Sequence, residues 1–410
     1  MSKDDSGQSD PTRRKYVKYG GAVVVGLLAG CSSNGSDTIP AGTATETDTG
    51  TDSEAVTTTD TETTTAEDGP YSVAMSPVGT VELETPPENV FTVSPHLAGM
   101  TVALGHGDAV NSIYAPEYFD DIWNKFLERL PGVSVNWADV ATTWNPGKEL
   151  LYELDSDLHL ADPVYMVAMM DAWGRSDIEE VRNNIAPFFG NMYSNGNTTT
   201  PDWAGGYQYY TLWDMFEKVA QVFRETDRYD ALTSIHRNVV SNIESNLPSK
   251  GDRPTVANVI LAEKAVYVYN MNGPGFYRAH TRPLGAVDAF ERIAVDSSVG
   301  YEKLIDADPA ILLLTDGMAG GTDMDEKRQQ LYDGATQAIS AVENDRIYPL
   351  GTRLQGPLVN LFQLEMTAKQ LYPERFGEWP TYTGGAYPEI PEEEQLFDRQ
   401  RLTNIVNGEF

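Results

Sequence analysis

The sequence predicts an α/β protein of two doubly wound lobes joined by a long interlobe helix. Short β-branched strands alternate with helices, the pattern of a mostly parallel sheet. The same strand–helix unit occurs in both halves of the chain, and one long stretch with helical spacing separates them. At 410 residues the chain exceeds the usual size of one domain, which agrees with two lobes.

The first lobe is predicted over residues 71–210. Its opening strand, 90–94, is β-branched and aromatic, and Pro95 then permits a helix start. The glycines of 105–108 end that helix. In order, the predicted elements are strand 90–94, helix 96–104, strand 110–114, helix 148–154 and strand 158–161.

The interlobe helix is predicted over 211–248. Within it the apolar residues recur at helical spacing, and no Gly or Pro interrupts it before Pro248. Tyr229 and Asp230 leave open a break into two abutting helices. The second lobe, 249–410, repeats the unit as strand 256–261, helix 301–305, strand 310–314 and strand 346–350.

Charge excludes some classes of partner. The chain has 61 Asp and Glu against 29 Lys and Arg, a formal net charge of -32. Such a surface repels nucleic acid and anionic lipid headgroups, so neither is an expected partner. The acidic balance is similar to that of proteins from halophilic organisms, although an ordinary acidic protein is the alternative.

The N-terminus predicts an exported lipoprotein. Arg13 and Arg14 lie in a segment that resembles the twin-arginine export motif, and an apolar run, 19–30, follows. That run is too short to span a bilayer, which takes about 20 residues, but suits a signal peptide. Leu28-Ala29-Gly30-Cys31 looks like a lipobox, so 1–31 is the predicted signal and Cys31 the lipidated residue. The chain would be held on the outer face of the cytoplasmic membrane by that lipid anchor alone.

The segment 32–70 predicts a disordered tether. It consists mainly of Thr, Asp, Glu, Ser and Gly, and cannot bury enough apolar surface to offset its ordering entropy. Its threonine runs are either O-glycosylated or a bare spacer. Cys31 is the sole cysteine, so neither a disulfide nor a cysteine-based metal site can form within one molecule.

Catalytic motifs are missing from the sequence. The five His form no HExxH pair, and there is neither a GxSxG motif nor a Gly-rich phosphate loop. We therefore predict that the protein is not an enzyme and has no metal site. A site for free zinc or manganese remains a minor alternative, since it would need several His and carboxylates to converge.

Three segments carry a family resemblance: 93–108, 145–157 and 301–310. Together they resemble the iron–siderophore/cobalamin family of periplasmic binding proteins, in a haloarchaeal lipoprotein version. Ser156 departs from the proline usual at that point. The resemblance implies a monomeric solute-binding protein without a cofactor, which closes little when it binds a ligand between its lobes. It would deliver an iron(III) chelate, a ferric siderophore above all, to an ABC permease and ATPase.

Other functions stay open at this point. Within the same class the ligand could be cobalamin, haem or an oxyanion such as molybdate. From other classes, an extracytoplasmic enzyme on the same scaffold and a surface receptor without an importer are the alternatives. Turnover of a substrate would favour the enzyme, and a neighbouring permease gene would exclude the receptor.

The candidate ligand residues follow predicted strands, because α/β sheets place their crevices at the carboxyl ends of strands. Aromatic faces and guanidinium groups suit a bulky anionic chelate. The alternative is that they are core aromatics and ion-paired surface arginines. The candidates are His96, Trp144, Trp173, Arg175, Tyr277, Arg278, Arg282 and Arg353.

Two glutamates are candidates for docking to the permease. In the resembling family, one glutamate on each lobe meets permease arginines. The matching positions are Glu149, eight residues before Asp157, and Glu302, eight residues before Ala310. A carboxylate in the first turn of a helix is also favoured by the helix dipole, so a purely local role is the alternative.

Overall fold

The structure, a computed structural model, describes residues 69–293 and 297–410. The predicted export motif, Cys31 and all but the last two residues of the predicted tether lie outside the described residues. Within the described ranges no helix combines the length and apolar character needed to cross a membrane.

The first lobe contains a small parallel sheet. An antiparallel hairpin, which the sequence analysis did not predict, precedes it. Strands β3 and β6 pair in parallel, as do β4 and β5, and a bridge between Val90 and Val110 joins the two pairs. The strands are β1 (Tyr71–Met75), β2 (Gly79–Leu83), β3 (Val90–Thr92), β4 (Ser112–Ile113), β5 (Ala141–Thr142) and β6 (Leu158–Leu160).

The helices of the first lobe fill the connections between these strands. Three of them begin with a proline, whose fixed backbone angle suits the first helical turn and whose missing N–H costs nothing there. They are α1 (Pro95–Ala103), α2 (Pro116–Leu127), α3 (Lys148–Leu154), α4 (Pro163–Met169) and α5 (Arg175–Asn184).

The connection between the halves is two helices and not one: α6 (Leu212–Phe223) and α7 (Thr226–Asn246). The chain breaks at Arg224, whose left-handed φ of 55° ends α6. The expectation of a single helix is therefore corrected. The alternative of two abutting helices holds, with its break a few residues before Tyr229.

The second lobe is built on a mixed sheet of order β10-β8-β7-β11-β12. Strands β7, β11 and β12 are parallel, β8 pairs antiparallel with both β7 and β10, and β9 pairs in parallel with the start of β7. The strands are β7 (Thr255–Leu261), β8 (Val266–Tyr269), β9 (Val287–Asp288), β10 (Ser298–Val299), β11 (Ile311–Leu314) and β12 (Ile347–Pro349).

The C-terminal segment returns to the first lobe. The helices of the second half are α8 (Tyr301–Ala307), α9 (Met324–Tyr332), α10 (Ser340–Glu343), α11 (Pro357–Leu371), α12 (Pro373–Phe376) and α13 (Arg399–Val406). Every residue of α11 is buried, and the helix packs against α1, α2, α6 and α7. Further along, the Tyr387 N–H donates to the Lys125 carbonyl at 2.7 Å. Residues 357–410, which the sequence assigned to the second lobe, thus tie the two halves together.

Candidate functional site

A cleft lies between the two halves, at the carboxyl ends of the strands. It encloses about 730 Å³ not filled by protein atoms, counting the solvent at its mouth. Its lining is Val93, Ser94, Pro95, Tyr114, Tyr118, Phe119, Trp144, Tyr165, Met170 and Met192 from the first half, and Tyr277, Asp316, Thr352, Arg353 and Leu354 from the second.

The first-half wall is aromatic. Tyr114, just after β4, and Trp144, just after β5, stack with ring centroids 5.0 Å apart and planes 21° apart. Trp144 remains 39% exposed, so part of its ring is open to the cleft mouth. Because neighbouring parallel strands end side by side, two consecutive strand ends place these flat rings together.

The opposite wall carries one guanidinium. Arg353 follows β12, and its Cζ lies 3.9 Å from the ring centroid of Tyr269 and 4.8 Å from that of Tyr277. These distances are those of cation–π pairs, which favour Arg over Lys. The side chain is buried, so the two rings fix its position at the cleft.

Arg353 lies on a loop that a buried amide network holds. The Gln363 side-chain N–H donates to the Thr352 carbonyl at 2.9 Å and to Gln355 Oε1 at 3.0 Å. Asn360 donates to the same Gln355 oxygen at 3.0 Å, and its own Oδ1 accepts from the Trp213 indole at 2.9 Å. The loop is therefore bound through α11 to the first interlobe helix, α6.

A carboxylate faces the same space. Asp316 lies just beyond β11 with a left-handed φ of 61° and is partly exposed. Burial of its carboxyl raises the pKa of Asp316 to about 6, against the opposing influence of the Tyr118 hydroxyl and the Arg353 charge. The Tyr118 hydroxyl lies close enough to act on this pKa but does not reach full hydrogen-bond geometry.

Asp162 positions two residues of the first wall. Its buried carboxylate accepts hydrogen bonds from the backbone N–H of Tyr165 at 3.2 Å and of Met192 at 2.8 Å. The Tyr207 hydroxyl donates to it at 2.6 Å. Burial raises the pKa of Asp162, and these hydrogen bonds oppose the rise. The aspartate thus holds α4 and the loop after residue 190 together beside the cleft.

Three predicted ligand residues line the cleft: Trp144, Tyr277 and Arg353. The aromatic candidates His96 and Trp173 do not line it. His96 is fully buried and stacks on Phe276 with centroids 4.3 Å apart, and its burial lowers the pKa of the imidazole to about 3. The Trp173 indole donates to the Pro146 carbonyl at 2.7 Å, so its polar edge is used in the fold.

The other three arginines also lie outside the cleft lining, which corrects the prediction. Arg278 is buried and donates to the carbonyls of Asn270, Asn195 and Pro274 at 3.0–3.2 Å. Arg282 contacts the carbonyls of Gly273 and Gly275 at 3.4 Å. Arg175 lies over the Trp203 ring, 4.2 Å from its centroid. These guanidinium groups hold loops together.

Several lining residues were missed from the sequence, among them Tyr114, Tyr165 and Asp316. The sequence did mark two of them as strand-end residues. Tyr114 ends a predicted strand, and Asp316 comes two residues after the end of another predicted strand. Both therefore meet the strand-end criterion that selected the other candidates. Tyr165 lies within α4, and its place depends on how that helix packs.

The two candidate docking glutamates occupy equivalent settings. Glu149 and Glu302 are exposed, each in the first turn of a seven-residue helix. Each helix starts after an extended glycine and ends at an aspartate with left-handed φ, 45° at Asp155 and 40° at Asp308. The glutamates thus lie at matching points of the two lobes.

Within the described ranges, no group of three or more His, Cys, Asp or Glu side chains is arranged to hold a metal ion.

The sequence signature of the periplasmic binding protein family matches residues 138–354, more than half of the chain. The chain belongs to this family. The matched stretch begins before Trp144 and ends at the cleft residue Leu354.

The sequence of this periplasmic binding protein is similar to that of a curated protein. A curated relative, the Fe(3+)-citrate-binding protein YfmC of Bacillus subtilis, is 24% identical over 231 residues. The match covers 56% of this chain and 64% of that relative's length.

Two solved structures share the fold. One is a periplasmic binding protein from Veillonella parvula, with TM-score 0.53, 13% identity and coverage of 74% of this chain and 91% of that one. The other is the iron uptake ABC transporter substrate-binding protein PiuA from Streptococcus pneumoniae, with TM-score 0.50, 17% identity and coverage of 73% and 97%.

Proposed function

We propose that this periplasmic binding protein captures an iron(III) chelate outside the cytoplasm, as a monomer, and delivers it to the permease and ATPase of an ABC importer. The observation that carries the proposal is the aromatic cleft between the lobes, with Arg353 in its wall. Open aromatic faces pack on the organic shell of a chelate, and a fixed guanidinium binds its oxygens. The names of the relatives, which refer to iron(III) citrate and iron uptake, support the same ligand class.

Calorimetric titration of the full-length protein at high salt tests this proposal. The ligands are a ferric trihydroxamate, ferric citrate, cobalamin, haem and molybdate. We expect at least one ferric chelate to bind with a micromolar or lower dissociation constant, at one site per chain. If only cobalamin, haem or molybdate binds, the proposed ligand class is wrong. If any of the ligands is turned over, the protein is an enzyme.

Docking to the permease is assigned to Glu149 and Glu302. Both carboxylates are exposed and lie at equivalent points of the two lobes, so a permease could contact both at once. Exposed carboxylates form strong charge-assisted bonds with guanidinium groups. We expect Glu149→Arg and Glu302→Arg each to reduce chelate uptake by about tenfold, because a close like-charge contact costs several kcal/mol.

The matched control is Glu374→Arg, which reverses another exposed carboxylate, on α12. Uptake by cells and ligand affinity in solution are measured for all three variants. Affinity should stay within about twofold of wild type, since neither docking glutamate lines the cleft. Normal uptake by both docking variants would refute the docking role. Loss of ligand affinity would show instead that these residues belong to the ligand site.

The anchor is assigned to a lipid on Cys31, with export through Arg13 and Arg14, on a lipoprotein adapted to high salt. The lipobox-like run and the acidic composition support this assignment. We expect Cys31→Ser to move the protein from the membrane fraction to the medium, and Arg13→Lys with Arg14→Lys to retain it in the cytoplasm. Immunoblots of the fractions read the result, and a membrane-bound Cys31→Ser protein would contradict it.

A further inference from the structure

The charges of the cleft point to a particular class of chelate. Among the described residues that line it, Arg353 is the sole cation and Asp316 the sole anion. The lining is otherwise aromatic, aliphatic or hydroxyl-bearing. Because the three other candidate arginines hold loops outside the cleft, no cluster of guanidinium groups meets the ligand.

The two charged residues of the cleft, Arg353 and Asp316, already interact with each other. Arg353 lies against two aromatic rings, and its positive charge acts on the nearby carboxyl of Asp316. A ligand with several negative charges would find one guanidinium and would also face a carboxylate. Like charges brought together in a desolvated site are strongly unfavourable. The full chain carries a formal net charge of -32, which repels polyanions further at moderate salt.

Iron(III) chelates differ in net charge according to the groups that bind the metal. Iron(III) held by three singly negative bidentate groups, such as hydroxamates, has no net charge. Iron(III) held by three doubly negative catecholates carries three negative charges, and its citrate complexes are anionic. We propose that the cleft selects an uncharged iron(III) chelate with an apolar organic shell, and discriminates against polyanionic ones. Asp316 is the residue that sets this selection, and Arg353 binds the chelate's oxygens.

This inference rests on the proposed function, and calorimetry separates the two. The full-length protein is titrated at high salt with three probes: a neutral ferric trihydroxamate, a triply negative ferric tris-catecholate and ferric citrate. We expect the neutral complex to bind about tenfold or more tightly than either anionic one. Equal or tighter binding of an anionic complex overturns the charge selection and leaves the iron-chelate function standing. Failure of all three probes overturns both.

Asp316→Asn isolates the carboxylate. Asparagine tolerates the left-handed backbone at this position and keeps the shape and one acceptor oxygen, so the variant removes the charge and replaces the other oxygen by an amide donor. We expect the affinity for the tris-catecholate, relative to that for the neutral complex, to rise by about tenfold. The control is Asp230→Asn, an exposed aspartate on α7, which should change neither affinity. An unchanged ratio of the two affinities in Asp316→Asn would contradict the role of Asp316.

Discussion

Trp144→Ala should weaken binding of the iron(III) chelate by about tenfold to a hundredfold, because an aromatic anchor in a cleft contributes about 1–3 kcal/mol. Trp144 presents an open ring at the cleft mouth and is backed by Tyr114 at 5.0 Å. Its removal takes away a flat contact surface that is already held in place, without emptying the core. Calorimetry gives the affinity, and thermal unfolding should show little change.

Trp203→Ala is the matched control for this variant. Trp203 is 42% exposed against 39% for Trp144, and its ring likewise packs against a neighbouring side chain, that of Arg175. It does not line the cleft, so we expect its removal to leave chelate affinity unchanged. Equal affinities for the Trp144 and Trp203 variants would show that the ligand does not use the aromatic wall.

Glu365→Gln should destabilise the fold by about 3–5 kcal/mol, the usual effect of breaking a buried ion pair on one side. Glu365 is fully buried on α11, where its carboxylate pairs with Arg399. It also accepts from the Tyr387 hydroxyl at 2.8 Å and from the Leu396 N–H at 2.7 Å. The amide keeps the shape but leaves the mostly buried Arg399 charge without this counter-ion.

Urea unfolding at constant salt measures this effect, since urea, unlike guanidinium chloride, leaves the ionic strength unchanged. Asp306→Asn is the control, because its ion pair with Lys303 is exposed on both sides and should contribute less than about 1 kcal/mol. If the Glu365 variant unfolds at the wild-type urea concentration, the buried pair does not hold α13 onto α11.

Local patterns predicted several of the elements closely. The helix 148–154 was placed at its observed bounds, and strands β6, β7 and β11 lie within one residue of prediction at each end. Hydrophobic periodicity and turn residues act over a few neighbours, so they can be read from sequence. The fold class followed from the order of these elements.

The break between α6 and α7 could not be placed from such patterns. Arg224 adopts a left-handed conformation that favours glycine, yet no glycine marks the site. The Arg224 N–H caps α6 at the carbonyls of Ala220 and Gln221. The break is therefore evident from the backbone geometry and not from the residue type.

The arginines show which part of the site could not be predicted from the sequence. From sequence, Arg278 and Arg353 were equal candidates, each following a strand. Arg278 donates to carbonyls from residues 195 and 270, which are distant in sequence and meet only in the folded chain. Arg353 instead stacks on two tyrosines at the cleft. Which arginine lines the cleft was thus set by long-range contacts that no local pattern encodes.

A crystal structure of the full-length protein with a bound ferric chelate, with anomalous data collected at the iron edge, tests the central claim most directly. The account predicts one iron peak per chain between the lobes, with the organic shell against Trp144 and Tyr277 and an oxygen near Arg353. An iron peak elsewhere on the protein, or a fully occupied ligand that leaves the aromatic cleft empty, would contradict it.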